Sequence, residues 1–188
     1  MADPDRVADA FRAAPRVWFL PAGERHRAAY DGPIPIGHEQ TSSQPRTVEA
    51  MLRLLDVRAG QRVLDVGSGS GWTTALLAAL VGPDGTVLGL ERVPELVAFG
   101  RENLARGSWP WARIDPADPD RLGDPAGAPY DRVLVSAEAG ELPGDLVTQL
   151  APDGRMVIPV RGEMLLVEPT AGAPRVTTHG RYRFVPLR

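Results

Sequence analysis

Between residues 62 and 81 the chain runs directly from an apolar stretch through a glycine-spaced loop into a second apolar run. Arg62–Gly67 reads as a buried strand, Gly67-Ser68-Gly69-Ser70-Gly71 as a tight loop and Trp72–Val81 as a helix. Glycines let the backbone turn sharply and come close to a ligand, and the start of the following helix offers unpaired N–H groups. Such a strand–loop–helix unit belongs in a parallel sheet, which needs crossover helices. The downstream pattern agrees. Asp84-Gly85 marks a turn, Thr86–Glu91 a second strand, Pro94–Arg106 a helix and Trp111–Asp115 a third strand. A Pro/Asp/Gly-rich loop spans 116–129 and precedes a strand over Asp131–Ala137 and a helix over Leu142–Leu150. Arg155–Val160 and Met164–Val167 suit a hairpin around Arg161-Gly162-Glu163, and Arg181–Leu187 suits a last strand after a Pro/Gly/Thr-rich segment.

Upstream of the loop, Val48, Met51, Leu52 and Leu55 fall on one helical face, and Pro45 suits the first turn. Residues 4–14 carry a weaker helical pattern through Val7, Ala10, Phe11 and Ala14, and Pro15 ends it. Five prolines in residues 15–45 predict an irregular, extended arm, which Trp18, Phe19, Tyr30, Ile34 and Ile36 would pack onto the domain. The expectation is one compact α/β unit of 188 residues: an arm over 1–45 that covers the active site, and a ligand-binding domain over 46–188. Its central sheet is mostly parallel, with helices on both faces and antiparallel strands at the C-terminal end.

The ligand follows from spacing and charge. The loop reads G-x-G-x-G rather than the dinucleotide fingerprint G-x-G-x-x-G, and Asp65 stands two residues before its first glycine. An acid there is unwelcome beside a pyrophosphate but suits a ligand with an ammonium group. The chain has no lysine, so a phosphate-binding G-x-x-x-x-G-K-[ST] loop is excluded. Glu91 ends the second strand 20 residues after Gly71, where an acid can accept hydrogen bonds from a ribose diol. S-adenosylmethionine meets all three conditions. There is no cysteine, and His26, His38 and His179 lack ligand spacing, so no metal site is expected. Ser136 reads as a strand-end serine, Trp109 and Trp111 as packing residues, and Arg101, Arg106 and Arg113 as a solvated face. A formal net charge of −3 gives no electrostatic footing for nucleic acid or membrane partners. The acidic start Met1-Ala2-Asp3-Pro4-Asp5 and the absence of a long apolar run lead to the expectation of a cytoplasmic protein, and a monomer is expected although nothing in the sequence reveals the oligomeric state.

More specific segments resemble the protein-L-isoaspartate (D-aspartate) O-methyltransferases, a class I methyltransferase family with a Rossmann-like fold. Tyr30-Asp31-Gly32-Pro33-Ile34-Pro35-Ile36-Gly37 is similar to the family's Y-x-D-x-P-L-P-I-G, and Gln40-Thr41-Ser42-Ser43-Gln44-Pro45 to its Q-T-I-S-Q-P. Arg62–Gly71, Pro129-Tyr130-Asp131, Leu150–Val160 and Phe184-Val185-Pro186-Leu187 match further segments, so the similarity covers nearly the whole chain. The resemblance implies methyl transfer from S-adenosylmethionine to the carboxylate of L-isoaspartyl residues in proteins or peptides, leaving S-adenosylhomocysteine. It implies catalytic roles for Ser43 and Thr41, which orient the acceptor, and cofactor contacts from Gln40, Thr41, Ser42, Asp65, Gly67, Ser68, Gly69, Gly71 and Glu91.

The departures from the pattern are specific. Ser42 replaces an isoleucine, Glu39 a glycine and Arg46 an aromatic or histidine, and Glu138 falls where small residues are usual. Arg46 is read as a substrate-carboxylate contact or a partner for Glu39. The family's adenine-binding acid has two candidates, Asp115 and Asp118, of which Asp115 ends the predicted strand and is preferred. These changes leave open a relative that methylates an aspartate of one dedicated peptide, or a weakly catalytic cofactor-binding protein of the same fold.

Overall fold

A computed structural model describes residues 5–187; residues 1–4, including the start of the predicted 4–14 helix, and Arg188 lie outside the described residues. Helix α1 (Arg6–Ala13) opens with Asp5, whose carboxylate accepts from the Ala8 amide at 3.1 Å. The arm is not wholly irregular. Two 3-10 turns (Arg16–Phe19 and Ala22–Arg27) lead into a small hairpin, β1 (Ile34–Gly37) and β2 (Gln40–Ser42). Such short pieces escape a periodicity reading because none spans enough residues to show a repeat. Helix α2 (Pro45–Leu55) follows, with Pro45 in its first turn and Val48, Met51, Leu52 and Leu55 buried, as the spacing predicts.

The central unit then runs β3 (Arg62–Val66), α3 (Trp72–Val81), β4 (Thr86–Glu91), α4 (Pro94–Leu104) and β5 (Ala112–Pro116). It continues with β6 (Tyr130–Val135), the one-turn α5 (Gly144–Val147), β7 (Leu150–Val160), β8 (Glu163–Glu168) and β9 (Arg175–Arg181). The seven-stranded sheet has the order β5-β4-β3-β6-β7-β8-β9. Pairings from β5 through β7 are parallel, and β7-β8 and β8-β9 are antiparallel. The strand order reverses between β3 and β6, which opens a crevice at the carboxyl ends of those strands.

Two apolar layers hold the sheet. One joins alternate strand residues Val63, Val87, Ile114, Leu134 and Val157 to α1, α2, α3 and α4. The other joins Leu64, Val66, Leu88, Val133 and Ile158 to Leu146 of α5. Helix α3 buries nine of its ten residues, since it lies between the sheet and α1. Arg6 pins that cover by donating to the carbonyls of Val57 at 3.0 Å and Leu80 at 2.5 Å.

Two expectations need correction. Leu142–Leu150 forms only one helical turn, because Pro143 and Gly144 disfavour an earlier start and Leu150 is already paired in β7. The last strand is Arg175–Arg181 rather than Arg181–Leu187, since the β-branched run Val176-Thr177-Thr178 pairs with β8. The tail beyond it crosses the carboxyl ends of the strands: Glu138 N–H donates to Val185 O at 2.7 Å, and Leu187 N–H to Glu138 O at 2.8 Å. That main-chain pairing requires no small side chain at 138.

Candidate active site

The crevice holds a cavity of about 560 Å³. Its floor is the glycine loop. Gly67, Gly69 and Gly71 have φ of +80°, +52° and +86°, a region that other residues enter only with strain. Gly67 and Ser68 donate their N–H groups to Leu90 O, and Gly71 to Ser68 O, so the loop's own main chain folds it onto β4. Gly67, Ser68 and Gly69 line the cavity. Gly71 does not. A methyl group there would sit 2.9 Å from Ile114 and 3.0 Å from the Gly100 carbonyl, so this glycine lets α3 approach α4 and β5.

Glu91 is buried and faces the cavity. One carboxylate oxygen accepts from Gly69 N–H at 2.8 Å; the other accepts from Arg92 and Val93 N–H at 2.7 and 2.9 Å. The oxygen that meets Gly69 keeps a lone pair for a ligand hydroxyl. Asp65 sits differently from its expected place. It is fully buried beneath α3, where the hydroxyls of Thr73 and Thr74 each donate to the same carboxylate oxygen at 2.7 Å. Burial pushes its pKa up to about 6, against the two hydroxyl bonds that lower it. Asp65 therefore ties the helix start to β3 and does not line the cavity. The signal for this lies in the two threonines just inside the helix, whose hydroxyls can reach back to a strand-end acid.

The arm forms the opposite wall. Ile34 and Ile36 bury against Leu20 and Leu96. The Ile36 side chain also lies 3.2 Å from where a methyl on Gly69 would stand, so the hairpin rests on the glycine loop. Gln40, Thr41, Ser42 and Ser43 all line the cavity. Ser42 is buried, with its hydroxyl accepting from Arg16 Nε at 3.1 Å. The isoleucine-to-serine departure is thus answered by a polar partner. Tyr30 is 53% exposed, with its ring over Gly32, and is not an anchor of the arm.

The remaining expectations separate by position. Arg46 does not line the cavity; its guanidinium pairs with Asp31 at 2.7 Å at the exposed start of α2. The Arg46 amide and guanidinium hold the Asp31 carboxyl below its ordinary range. Glu39 is exposed at the hairpin turn, away from the cavity. Arg46 and Glu39 are not paired with each other. Asp115 is turned outward between Arg101 and Arg113, at 2.9 and 2.8 Å, while Asp118 lines the cavity. The strand-end position favours Asp115, but Arg101 on α4 and Arg113 on β5 both face its side of the strand and capture it. Trp109 and Trp111 pack on the core, with Trp111 Nε1–H donating to Ala78 O at 2.9 Å.

Of the other wall residues, Ser136 lies outside the motifs expected to bind the cofactor. Ser136 and Ser68 both line the cavity, and their buried hydroxyls have no hydrogen-bond partner among the described residues. Buried hydroxyls are nearly always paired, so two together at a cavity wall fit a polar ligand there. Val185–Leu187 closes the far side, brought there by the tail crossing. Loop 116–129 is held by Gln149, which accepts from Asp124 N–H at 2.8 Å and donates to Leu122 O at 2.8 Å. Among the described residues no group of acidic and imidazole side chains could hold a metal, and no helix is long and apolar enough to cross a membrane.

A family model described as Protein-L-isoaspartate(D-aspartate) O-methyltransferase matches residues 1–188. The chain is 46% identical over 189 residues to a protein-L-isoaspartate O-methyltransferase of Methanopyrus kandleri, covering 97% of this chain and 83% of that one. It is 47% identical over 156 residues to the enzyme of that name from Methanothrix thermoacetophila, covering 83% and 74%. Among solved structures it is similar to a putative protein-L-isoaspartate O-methyltransferase from Plasmodium falciparum, in complex with S-adenosyl-L-homocysteine. That match has a TM-score of 0.87 and 27% identity, over 100% of this chain and 92% of that one.

Proposed function

The chain belongs to the protein-L-isoaspartate (D-aspartate) O-methyltransferase family, and from that premise we propose that it methylates the carboxylate of L-isoaspartyl residues in proteins or peptides. The observation that carries the reading is one cavity with two chemically distinct walls. Glycine loop and buried acid stand on one side, and the hydroxyl-bearing Gln40–Ser43 segment on the other.

The residues present fit S-adenosylmethionine. Glu91 keeps an acceptor site for a ribose hydroxyl, and Gly67–Gly69 present main chain at close range. Ser68 and Ser136 offer unpaired hydroxyls. Asp118 stands on the cavity wall and takes the adenine role in preference to Asp115. When bound, the cofactor supplies an electrophilic sulfonium methyl. The acceptor carboxylate is already ionised at neutral pH, given an ordinary pKa of about 3.9, so no general base is required. The protein's task is to place one carboxylate oxygen in line with that methyl and keep water out. Ser43 and Thr41 orient the acceptor by donating hydrogen bonds, and Ser42 contributes by anchoring the segment. Arg46 and Asp65 act outside the cavity, in helix capping and loop tethering.

The test is transfer of label from methyl-labelled S-adenosylmethionine to an isoaspartyl peptide. Base-labile label on the peptide is the expected result. Calorimetric cofactor binding with no label on any carboxyl would overturn the reading.

A further inference from the structure

The arm hangs on one buried cation. Arg16 is 6% exposed and its guanidinium donates to no carboxylate among the described residues. Nη1–H donates to Tyr30 O at 2.8 Å. Nη2–H donates to Gly32 O at 2.9 Å, Ser42 O at 2.9 Å and Ser43 O at 2.8 Å. Nε–H donates to Ser42 Oγ at 3.1 Å. Desolvation lowers its pKa to about 10, and the nearby acid, Asp31, is already engaged by Arg46.

Burying a charge with only neutral partners is costly unless its donors are used, and an apolar side chain of similar size would fill the space with less penalty. The partners show what the cost secures. Tyr30 and Gly32 lie before the β1-β2 hairpin; Ser42 and Ser43 lie at its end and just after it. One side chain therefore gathers both ends of the loop that carries Thr41 and Ser43. The guanidinium also stacks on Trp72, with Cζ 5.2 Å from the ring centroid. Trp72 is the first residue after the glycine loop, lines the cavity, and donates its Nε1–H to Ala14 O at 3.0 Å. Arm and cofactor loop thus meet at a cation–aromatic contact as well as where Ile36 rests on Gly69.

We propose that Arg16 is a positioning residue for methyl transfer, fixing the Ser42–Ser43 main chain over the cavity and registering it against the glycine loop through Trp72. It touches neither substrate nor reacting atoms. The inference rests on the reading of Ser43 as the acceptor-facing hydroxyl. It also accounts for Ser42, whose hydroxyl supplies the acceptor that Nε needs. A lysine at this place keeps the charge but cannot span both ends of the loop, because it lacks the rigid fork.

The test compares Arg16→Lys and Arg16→Met with the parent. The readouts are kcat and KM on an isoaspartyl peptide, calorimetric affinity for S-adenosylhomocysteine, and amide exchange. Misplacing the hydroxyl should lower kcat on the order of 10- to 100-fold in both variants. KM and cofactor affinity should stay within about threefold, since the cofactor wall is intact. Exchange should rise over residues 30–43 while β3, β4 and β6 stay protected. A kcat within about twofold of the parent in either folded variant overturns the proposal. So does exchange that rises equally through the sheet, which would make Arg16 a general structural residue. If Arg16→Met fails to fold, Arg16→Lys, which keeps stem and charge, decides alone. A parent that leaves the isoaspartyl peptide unlabelled defeats the functional reading instead; exchange confined to 30–43 then still decides whether Arg16 clasps the segment.

Discussion

Ser43 and Asp65 make opposite demands on their surroundings. Ser43 is half-buried on the cavity wall with its carbonyl held by Arg16, and in the proposed reading its hydroxyl meets the acceptor. Ser43→Ala should lower methyl transfer by about tenfold or more and leave calorimetric cofactor affinity nearly unchanged; full turnover would remove Ser43 from the mechanism. Burial makes Asp65 keep its proton to a higher pH than a free carboxyl, with a pKa raised from 3.8 to about 6 in the folded chain. Between those values the folded state binds more protons than the unfolded one, so stability falls as pH rises. A rise of that size corresponds to about 3 kcal/mol, present below the unfolded value and lost once pH passes the folded one. Urea midpoints of the parent and Asp65→Asn should therefore diverge between about pH 4 and pH 6.5 and run parallel above it; a constant difference would contradict the ionisation assigned here. At this scale the sequence is only partly legible. Glu91, Gly67 and Gly69 sit on the cavity where spacing places them, because strand register fixes strand-end residues, whereas Gly71 serves helix packing. Asp115 and Arg46 do not reach the cavity, because Arg101, Arg113 and Asp31 capture them from elements that only tertiary packing brings near.

Elements with long, uniform patterns match their expected bounds. Trp72–Val81 and Thr86–Glu91 leave no choice between helix and strand, since glycines and a turn close their apolar runs. The weak points are the arm hairpin, the one-turn α5 and the tail. Each is set by partners distant in sequence: Arg16 for the hairpin, Tyr130 of β6, which pairs with Leu150, for the end of α5, and the Glu138 main chain for the tail. The junction of α3 and α4 gives a test at this scale. Gly71→Ala would demand φ of +86° from alanine and push a methyl onto Ile114 and the Gly100 carbonyl. The expected cost is about 2–4 kcal/mol in urea denaturation, from the left-handed backbone and the overpacking together. A change below about 0.5 kcal/mol would show that the helices do not approach as closely as described.

Across the whole molecule, the sheet order brings the glycine loop, Glu91 and Ser136 to one edge, while both ends of the chain fold back to wall it. The arm from the N-terminal side supplies hydroxyls, and Val185–Leu187 from the C-terminal side supplies apolar cover. Alternating strands and helices are enough to indicate the sheet and the crevice. An arm over the site is expected from the sequence, but that the tail closes the same cavity is not legible, since it depends on how far Val185–Leu187 crosses the strand edge. The same closure makes the acceptor choice a property of the assembled molecule. The direct measurement offers an isoaspartyl peptide and its normal aspartyl twin together, in equal amounts, with limiting S-adenosylmethionine, and reads the methyl ester by mass spectrometry. Ester on the isoaspartyl peptide alone is the predicted result. Ester on the aspartyl twin in comparable amount, or on neither peptide, would contradict it.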